Sequence, residues 1–309
     1  MTGRGGRRTR AWNAGVAALL CVAPITANAQ EAPPERVQWI PSRPTPGGLA
    51  VLEIHAPAAL RVTGELAGQP LHFERTRGGG FAALAGIPVS ADSNLRIRYA
   101  IHDAAGGRRE RSLPLPIVPA DFGVERLTVD PRFTTPPDSA LAARIERESQ
   151  AARRVSEQSH ATPRLWSGPF QRPLPGRVTS PFGMGREFNG ELQSRHLGMD
   201  FAGAAGDTIV AVNGGVVALV GEFHYGGNVA YVDHGGGLVT AYLHMSEVLV
   251  TPGDTVQVGT VLGLVGATGR VTGPHLHLIA RYGTVTVNGA DLLQLDVSRF
   301  PAPASRSSR

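Results

Sequence analysis

The segment Gly273-Pro274-His275-Leu276-His277-Leu278-Ile279 alternates imidazoles with leucines. On a β-strand that period sends both histidines to one face and both leucines to the other, and Gly-Pro is turn chemistry that would start such a strand. Two upstream segments, His196-Leu197-Gly198-Met199-Asp200 and Tyr242-Leu243-His244-Met245-Ser246, supply further donors. The candidate set is therefore His196, Asp200, His244, His275 and His277. These N and O donors suit a zinc ion that takes three protein ligands and leaves a fourth position open for water. A fully extended chain would hold His196 and Asp200 about 13 Å apart at Cα, too far for one ion, so the segment must bend, and Gly198 permits that. His275 and His277 would lie about 7 Å apart on one strand face and could approach one centre. Spacing alone leaves open which histidines bind metal and which act on a substrate.

The elements that would position these residues are short strands. From residue 176 to 295 the composition shifts to Gly, Val, Leu and Thr, and strands are expected at 208–212, 216–223, 228–233, 238–244, 255–264 and 275–281. Glycine pairs and the Gly235-Gly236-Gly237 run punctuate them, which predicts a compact β-sandwich or barrel. Residues 47–119 also read as short strands. The clearest puts Leu95, Ile97, Tyr99 and Ile101 on one side, and the Asp103–Gly107 turn folds it back as a hairpin, so a small antiparallel β-sandwich is expected. His55, His72 and His102 are scattered there and suggest no chemistry. Residues 120–175 form a linker containing a helix over about 139–157, signalled by Pro136-Pro137-Asp138-Ser139. Its thin apolar stripe of Leu141, Ile145, Ala152 and Val155 suits a helix laid on a domain surface. Residues 30–46 read as a flexible lead-in and 296–309 as a disordered tail.

Composition sets the address. The 309 residues contain no lysine, so all 30 basic side chains are arginines. Arg4, Arg7, Arg8 and Arg10 precede an apolar run from Ala14 to Ile25 that ends in Ala27-Asn28-Ala29. This pattern is a secretory signal over residues 1–29, too short for a membrane span, with cleavage expected after Ala29. Its removal takes the formal charge from +5 to about +1 and removes Cys21, the only cysteine. The high pI then argues for neither a nucleic-acid nor a membrane partner, and the core must hold the mature chain together without disulfides. The expected address is exported: periplasmic, secreted or associated with the cell wall.

His196-x-x-x-Asp200, Tyr242-Leu-His244-x-Ser246, Gly266-x-Thr268-Gly269 and Gly273-Pro-His275-Leu-His277 together resemble the lysostaphin/LytM-type zinc metallopeptidases. Ser180-Pro-Phe-Gly183, His234-Gly-Gly-Gly237 and Pro252-Gly-Asp254-x-Val256-x-x-Gly259 support the likeness, which covers residues 176–295. The resemblance implies a mainly β chain whose C-terminal part is a LytM-type antiparallel β catalytic domain with a narrow groove. It implies one zinc ion on His196, Asp200 and His277, with His244 and His275 as the catalytic, non-ligand pair. It also implies an endopeptidase acting on the peptide cross-links of peptidoglycan. The set offers no glutamate base, so histidine must serve. His224 and His234 match no ligand position, and Asn189 is a candidate groove residue. The N-terminal domain or the helix offers a surface for a cell-wall or divisome protein partner, or a cover for the groove. The alternative is a non-catalytic LytM-type regulator of other wall hydrolases, against which the complete ligand set speaks. A lipoyl- or biotin-carrier module, suggested by 252–259, requires a lysine that this chain does not have.

Overall fold

Alternation of apolar and polar residues produces most of what the chain does from residue 35 onward. The structure, a computed structural model, describes residues 1–3, 6, 35–130, 133, 135–188 and 191–302, with the side chains of 191–193 excepted. The expected signal peptide, its cleavage site and Asn189 lie outside the described residues. No helix among the described residues is long and apolar enough to cross a membrane.

Two four-stranded antiparallel sheets come first. One has the order β1 (Arg36–Ile40), β2 (Leu49–His55), β6 (Phe81–Gly86), β5 (Glu74–Arg75). The other runs β4 (Gln69–Leu71), β3 (Ala59–Leu66), β7 (Arg96–Asp103), β8 (Arg108–Pro114). Ile97, Tyr99 and Ile101 of β7 are buried while Arg96 and Arg98 are exposed, as the period-2 pattern expects. Strand β1 lies inside the segment expected to be a flexible lead-in. Trp39 explains the difference, because it buries itself opposite Leu52 and so pays the ordering entropy.

The segment expected to be a linker is more structured than its prolines suggested. β9 (Val124–Leu127) pairs in parallel with β11 (Gly185–Phe188), and β11 pairs with β12 (Glu191–Arg195). Helix α1 (Ser139–Gln158) starts on Asp138, whose carboxylate accepts a hydrogen bond from the Leu141 amide at 2.8 Å. It lays Ala152 and Val155 on Val229, Tyr231, Val239 and Ala241. Beyond it, Trp166, Phe170 and Leu174 are buried in the main core.

A ten-stranded sheet carries the candidate residues. Its main path is β10 (Val178–Ser180), β13 (Met199–Ala202), β20 (His275–Tyr282), β17 (Leu238–Val248), β16 (Gly227–Gly235), β15 (Gly215–Phe223), β18 (Thr255–Val256). Strands β14 (Thr208–Val210) and β19 (Val261–Val265) pair beside β17, and β21 (Val285–Val287) pairs with β20. The mainly β, antiparallel reading of the sequence is what the chain adopts, with the β9–β11 pair as the parallel exception. A short helix, α2 (Gly289–Leu293), follows.

The two N-terminal sheets do not have a core of their own. Leu52, Ile54, Ile97 and Ile101 belong to one hydrophobic cluster with Phe201, Tyr242, Leu276 and Leu278. Polar contacts reinforce the join: Tyr282 Oη donates to the Pro70 carbonyl at 2.8 Å, and Arg164 pairs with Glu74 at 2.7 Å. The expected disordered tail begins with a 3-10 turn at Val297–Arg299, followed by Phe300, 6% exposed and edge-on to Trp166. Arg299 also pairs with Glu53 at 2.9 Å. An aromatic anchor outweighs the Pro/Ser composition around it.

His234, which matches no ligand position in the sequence, is fully buried in this core. Its Nδ1–H donates to the Gly214 carbonyl at 2.7 Å, and Nε2 lies 2.8 Å from the Thr240 hydroxyl. Burial lowers its pKa from 6.5 to about 4. The unfolded chain therefore takes up this proton first as the pH falls, so the fold loses stability between about pH 6.5 and 4 and is unaffected by this group above that window. We expect His234→Gln to cost about 1–3 kcal/mol at pH 7, through imperfectly paired buried groups, and to flatten the decline toward pH 4. Urea midpoints measured across that range check it, and parallel pH profiles for the two proteins would contradict it.

Candidate metal centre

The register of two strands creates the centre. β13 and β20 pair so that Asp200 faces His277 directly and Ala202 faces His275. Cross-strand partners share a face, so Asp200, His275 and His277 leave the sheet together while Leu276 and Leu278 enter the core. His196 arrives from the other side of the Gly198 bend. Gly198 is needed here for space as well as for the bend: a Cβ would lie 2.4 Å from His277 Nε2 and 2.7 Å from the Leu278 carbonyl.

Three side-chain atoms converge. His277 Nδ1 lies 2.7 Å from Asp200 Oδ1, and His196 Nε2 lies 3.1 Å from the same oxygen and 3.0 Å from His277 Nδ1. All three residues are buried, at 1%, 7% and 7% exposed for His196, Asp200 and His277. Among the described residues this is the one His/Cys/Asp/Glu group placed to hold a metal ion.

The hydrogen bonds around His196 fix its tautomer. His196 Nδ1 lies 2.9 Å from the Pro181 carbonyl, which can only accept, so Nδ1 carries the proton and Nε2 presents a lone pair inward. Ser180 Oγ, also 2.9 Å from Nδ1, spends its own proton on Glu125 Oε2 at 2.8 Å. The lone pairs of His196 Nε2 and Asp200 Oδ1 thus meet at 3.1 Å, a contact that only a shared proton or cation relieves. A tetrahedral ion with bonds of about 2.0–2.1 Å separates its ligand atoms by about 3.3 Å, close to the spacing found. Donor type, count and spacing fit such an ion. Burial alone would raise the Asp200 carboxyl, but its close contacts with the His196 and His277 rings outweigh it and hold the group well below the usual carboxylate range. Burial lowers His277 to about 4, so its ring is neutral near pH 7.

Behind the trio stands a second layer. Arg186 donates to Asp200 Oδ2 at 2.8 Å, leaving Oδ1 for the centre, and to Glu125 Oε1 at 2.5 Å. Glu125 and Arg186 face each other in the parallel β9–β11 register. One carboxylate therefore supports His196 through Ser180 and Asp200 through Arg186.

The remaining two histidines flank the trio. His275 Nε2 is 3.7 Å from Asp200 Oδ1, and the His244 ring lies 5.0 Å from that of His275 and 5.8 Å from that of His277, centroid to centroid. Simple alternation would send His244 to the face opposite Leu243. A register shift in β17 and a φ of +66° at His244, rare for a side chain of this size, turn it onto the shared face. His244 Nδ1–H donates to the Thr268 carbonyl at 2.9 Å and His275 Nδ1–H to the Gly273 carbonyl at 2.8 Å. Both rings therefore present Nε2 as an acceptor. Burial lowers His244 to about 3 and keeps it neutral. The structure thus brings together all five residues singled out by the sequence. His224 lies apart from them, beside Phe133 and Tyr225.

Residues 194–289 match the model of peptidase family M23. The chain carries an M23 peptidase domain. Among its relatives, Peptidoglycan DD-endopeptidase ShyA of Vibrio cholerae is 42% identical over 99 residues, 31% of this chain and 23% of that one. The DD-carboxypeptidase/endopeptidase Mpg of Neisseria meningitidis is 34% identical over 138 residues, 42% of this chain and 32% of that one. This chain thus spans under a third of the length of these curated relatives. A crystal structure of a candidate M23 peptidase from Pseudomonas aeruginosa superposes with a TM-score of 0.62 at 29% identity, covering 81% of this chain and 95% of the other.

Ser180 was visible in the sequence as part of a supporting motif, whereas Glu125 and Arg186 were not singled out. Both lie outside the residues matched to the M23 model. If they hold the trio in place, Glu125→Ala should weaken metal binding by about 10- to 100-fold. Chelator competition on protein with an unchanged circular dichroism spectrum reads this out, and an unaltered competition curve would reduce Glu125 to a surface pairing.

Proposed function

We propose that this chain is an exported, zinc-dependent endopeptidase that hydrolyses the peptide cross-links of peptidoglycan. The observation that carries the reading is the convergence of His196, Asp200 and His277 on one point, with the acceptor nitrogens of His244 and His275 facing it. His196 Nε2, Asp200 Oδ1 and His277 Nδ1 would hold one zinc ion. Bound there, zinc would supply an acidified water and polarise a peptide carbonyl.

The chain's own groups account for the proton steps. His275, at the mouth of the site with 18% of its side chain exposed, is the better placed to take a proton from the attacking water on Nε2. It would return that proton to the departing amine, as general acid–base chemistry near neutral pH requires. His244, buried and neutral, would accept a hydrogen bond from the same water and align it. The names of the relatives, two of them DD-endopeptidases or DD-carboxypeptidase/endopeptidases, support peptidoglycan as substrate and a site of action outside the cytoplasm. Retention of every donor speaks against a purely regulatory role.

Digestion of intact sacculi, with muropeptides identified by mass, is the test. Cross-linked dimers should disappear, stop disappearing on chelation and do so again when zinc returns. His277→Ala should lose the metal, whereas His275→Ala should retain it and lose about 10²- to 10⁴-fold in turnover. Zinc-loaded wild-type protein that leaves sacculi and isolated cross-linked peptides untouched would sink the proposal.

A further inference from the structure

A cleft of about 360 Å³ opens beside the trio. Glu125, Leu127 and Val129 line one part of it, Ser180, Arg186 and Asp200 another, and the loop from Arg270 to His275 a third. Four fixed charges therefore face the cleft. Arg186 is committed to Glu125 and Asp200, so three of the four are tied up in one ion-pair group that carries a net charge of about −1. Arg270 is different. Among the described residues its guanidinium has no ion pair and no hydrogen bond.

This free cation is also held rigidly. Its Cζ lies 4.6 Å from the centroid of Phe188 and 4.5 Å from that of Tyr225, within cation–π range of both rings. The Arg270 amide donates to the Tyr225 carbonyl at 2.9 Å. The preceding Gly269, at φ +76°, packs so closely on the 225–227 turn that a Cβ would lie 2.4 Å from the Gly227 nitrogen. The guanidinium N–H groups remain able to donate, in the planar fork that fits a carboxylate. Burial lowers the Arg270 pKa; Tyr225 offsets part of this, and the nearby charge of Arg186 adds to the lowering. A half-buried, ring-clamped guanidinium without an anion is a cost to the fold that a ligand carboxylate would offset.

We propose that Arg270 is a carboxylate-binding residue of the substrate cleft and selects peptides that carry a free carboxylate next to the scissile amide. The inference rests on the peptidase reading above and narrows its substrate class. A D-Ala–diaminopimelate cross-link presents such a carboxylate on the carbon bearing the scissile nitrogen. A free D-Ala-D-Ala terminus presents one in the same place. A glycine bridge presents none beside its internal bonds.

The test uses zinc-loaded full-length mature protein and two substrate pairs: a cross-linked muropeptide dimer with its diaminopimelate carboxylate free or as the carboxamide, and a D-Ala-D-Ala pentapeptide ending in the free acid or the amide. Wild type should favour the acid over its neutral analogue by about 10- to 100-fold in kcat/KM in at least one pair. The pair showing it identifies the source of the carboxylate. Arg270→Gln should act on acid and amide alike, with most of its loss falling on the acid, and Arg270→Lys should recover part of the preference. No preference in wild type, or one that survives in Arg270→Gln, overturns the proposal. An equal loss on acid and amide makes Arg270 a clasp between Phe188 and Tyr225 and nothing more. If wild type cleaves none of these peptides, the peptidase reading falls. Calorimetric titration of the same acids and amides then judges Arg270 alone, and equal affinities would overturn its role.

Discussion

The pairing of Asp200 with His277 across two antiparallel strands is the constraint on which the rest of the site depends. It brings an acidic and a neutral donor within 2.7 Å on one face, while Leu276 and Leu278 anchor the same strand in the core behind them. A one-residue slip would exchange the two sets, burying imidazoles and exposing leucines. The geometry of the site and core packing are thus specified by a single register, and apolar burial enforces it. Every later refinement acts on atoms that this register has already brought within reach: the tautomer of His196, the grip of Arg186 on Asp200, and the turned backbone at His244.

That register was largely legible in the sequence, because it is written in local alternation. So were the mainly β architecture, the helix start at Asp138 and the five chemical residues. Less legible was whatever depends on partners distant in the chain. Glu125 sits in a stretch that reads as linker, and its importance follows from a parallel pairing with Arg186 that no periodicity announces. The reversal at His244 comes from a bulge, whereas the sequence around it reads as an ordinary strand. Gly198 was read as a bend, yet the tighter demand on it is the nearness of the His277 ring, a tertiary fact. The aromatic grip on Arg270 joins residues from β11 and from the turn before β16, which only the fold brings together.

The N-terminal sheets illustrate the same limit on a larger scale. Their strands announce themselves by alternation, but whether two β regions stand apart or merge depends on which faces remain apolar after each has folded. Here Tyr282 and Gly86 meet so closely that a Cβ on the glycine would lie 2.8 Å from that of the tyrosine. Together with the continuous cluster around them, this contact makes the early sheets a support for the strands that carry the site.

The position of β9 has an implication for heredity. The match to the family model begins at residue 194, but one wall of the cleft is built by Glu125, Leu127 and Val129, far upstream of it. The segment that can be recognised by descent is therefore smaller than the segment that shapes the cleft. Two chains with the same five donors can differ in cleft shape solely through what precedes the shared portion. A change upstream of residue 194 can therefore reshape the cleft without touching the five residues around the metal centre.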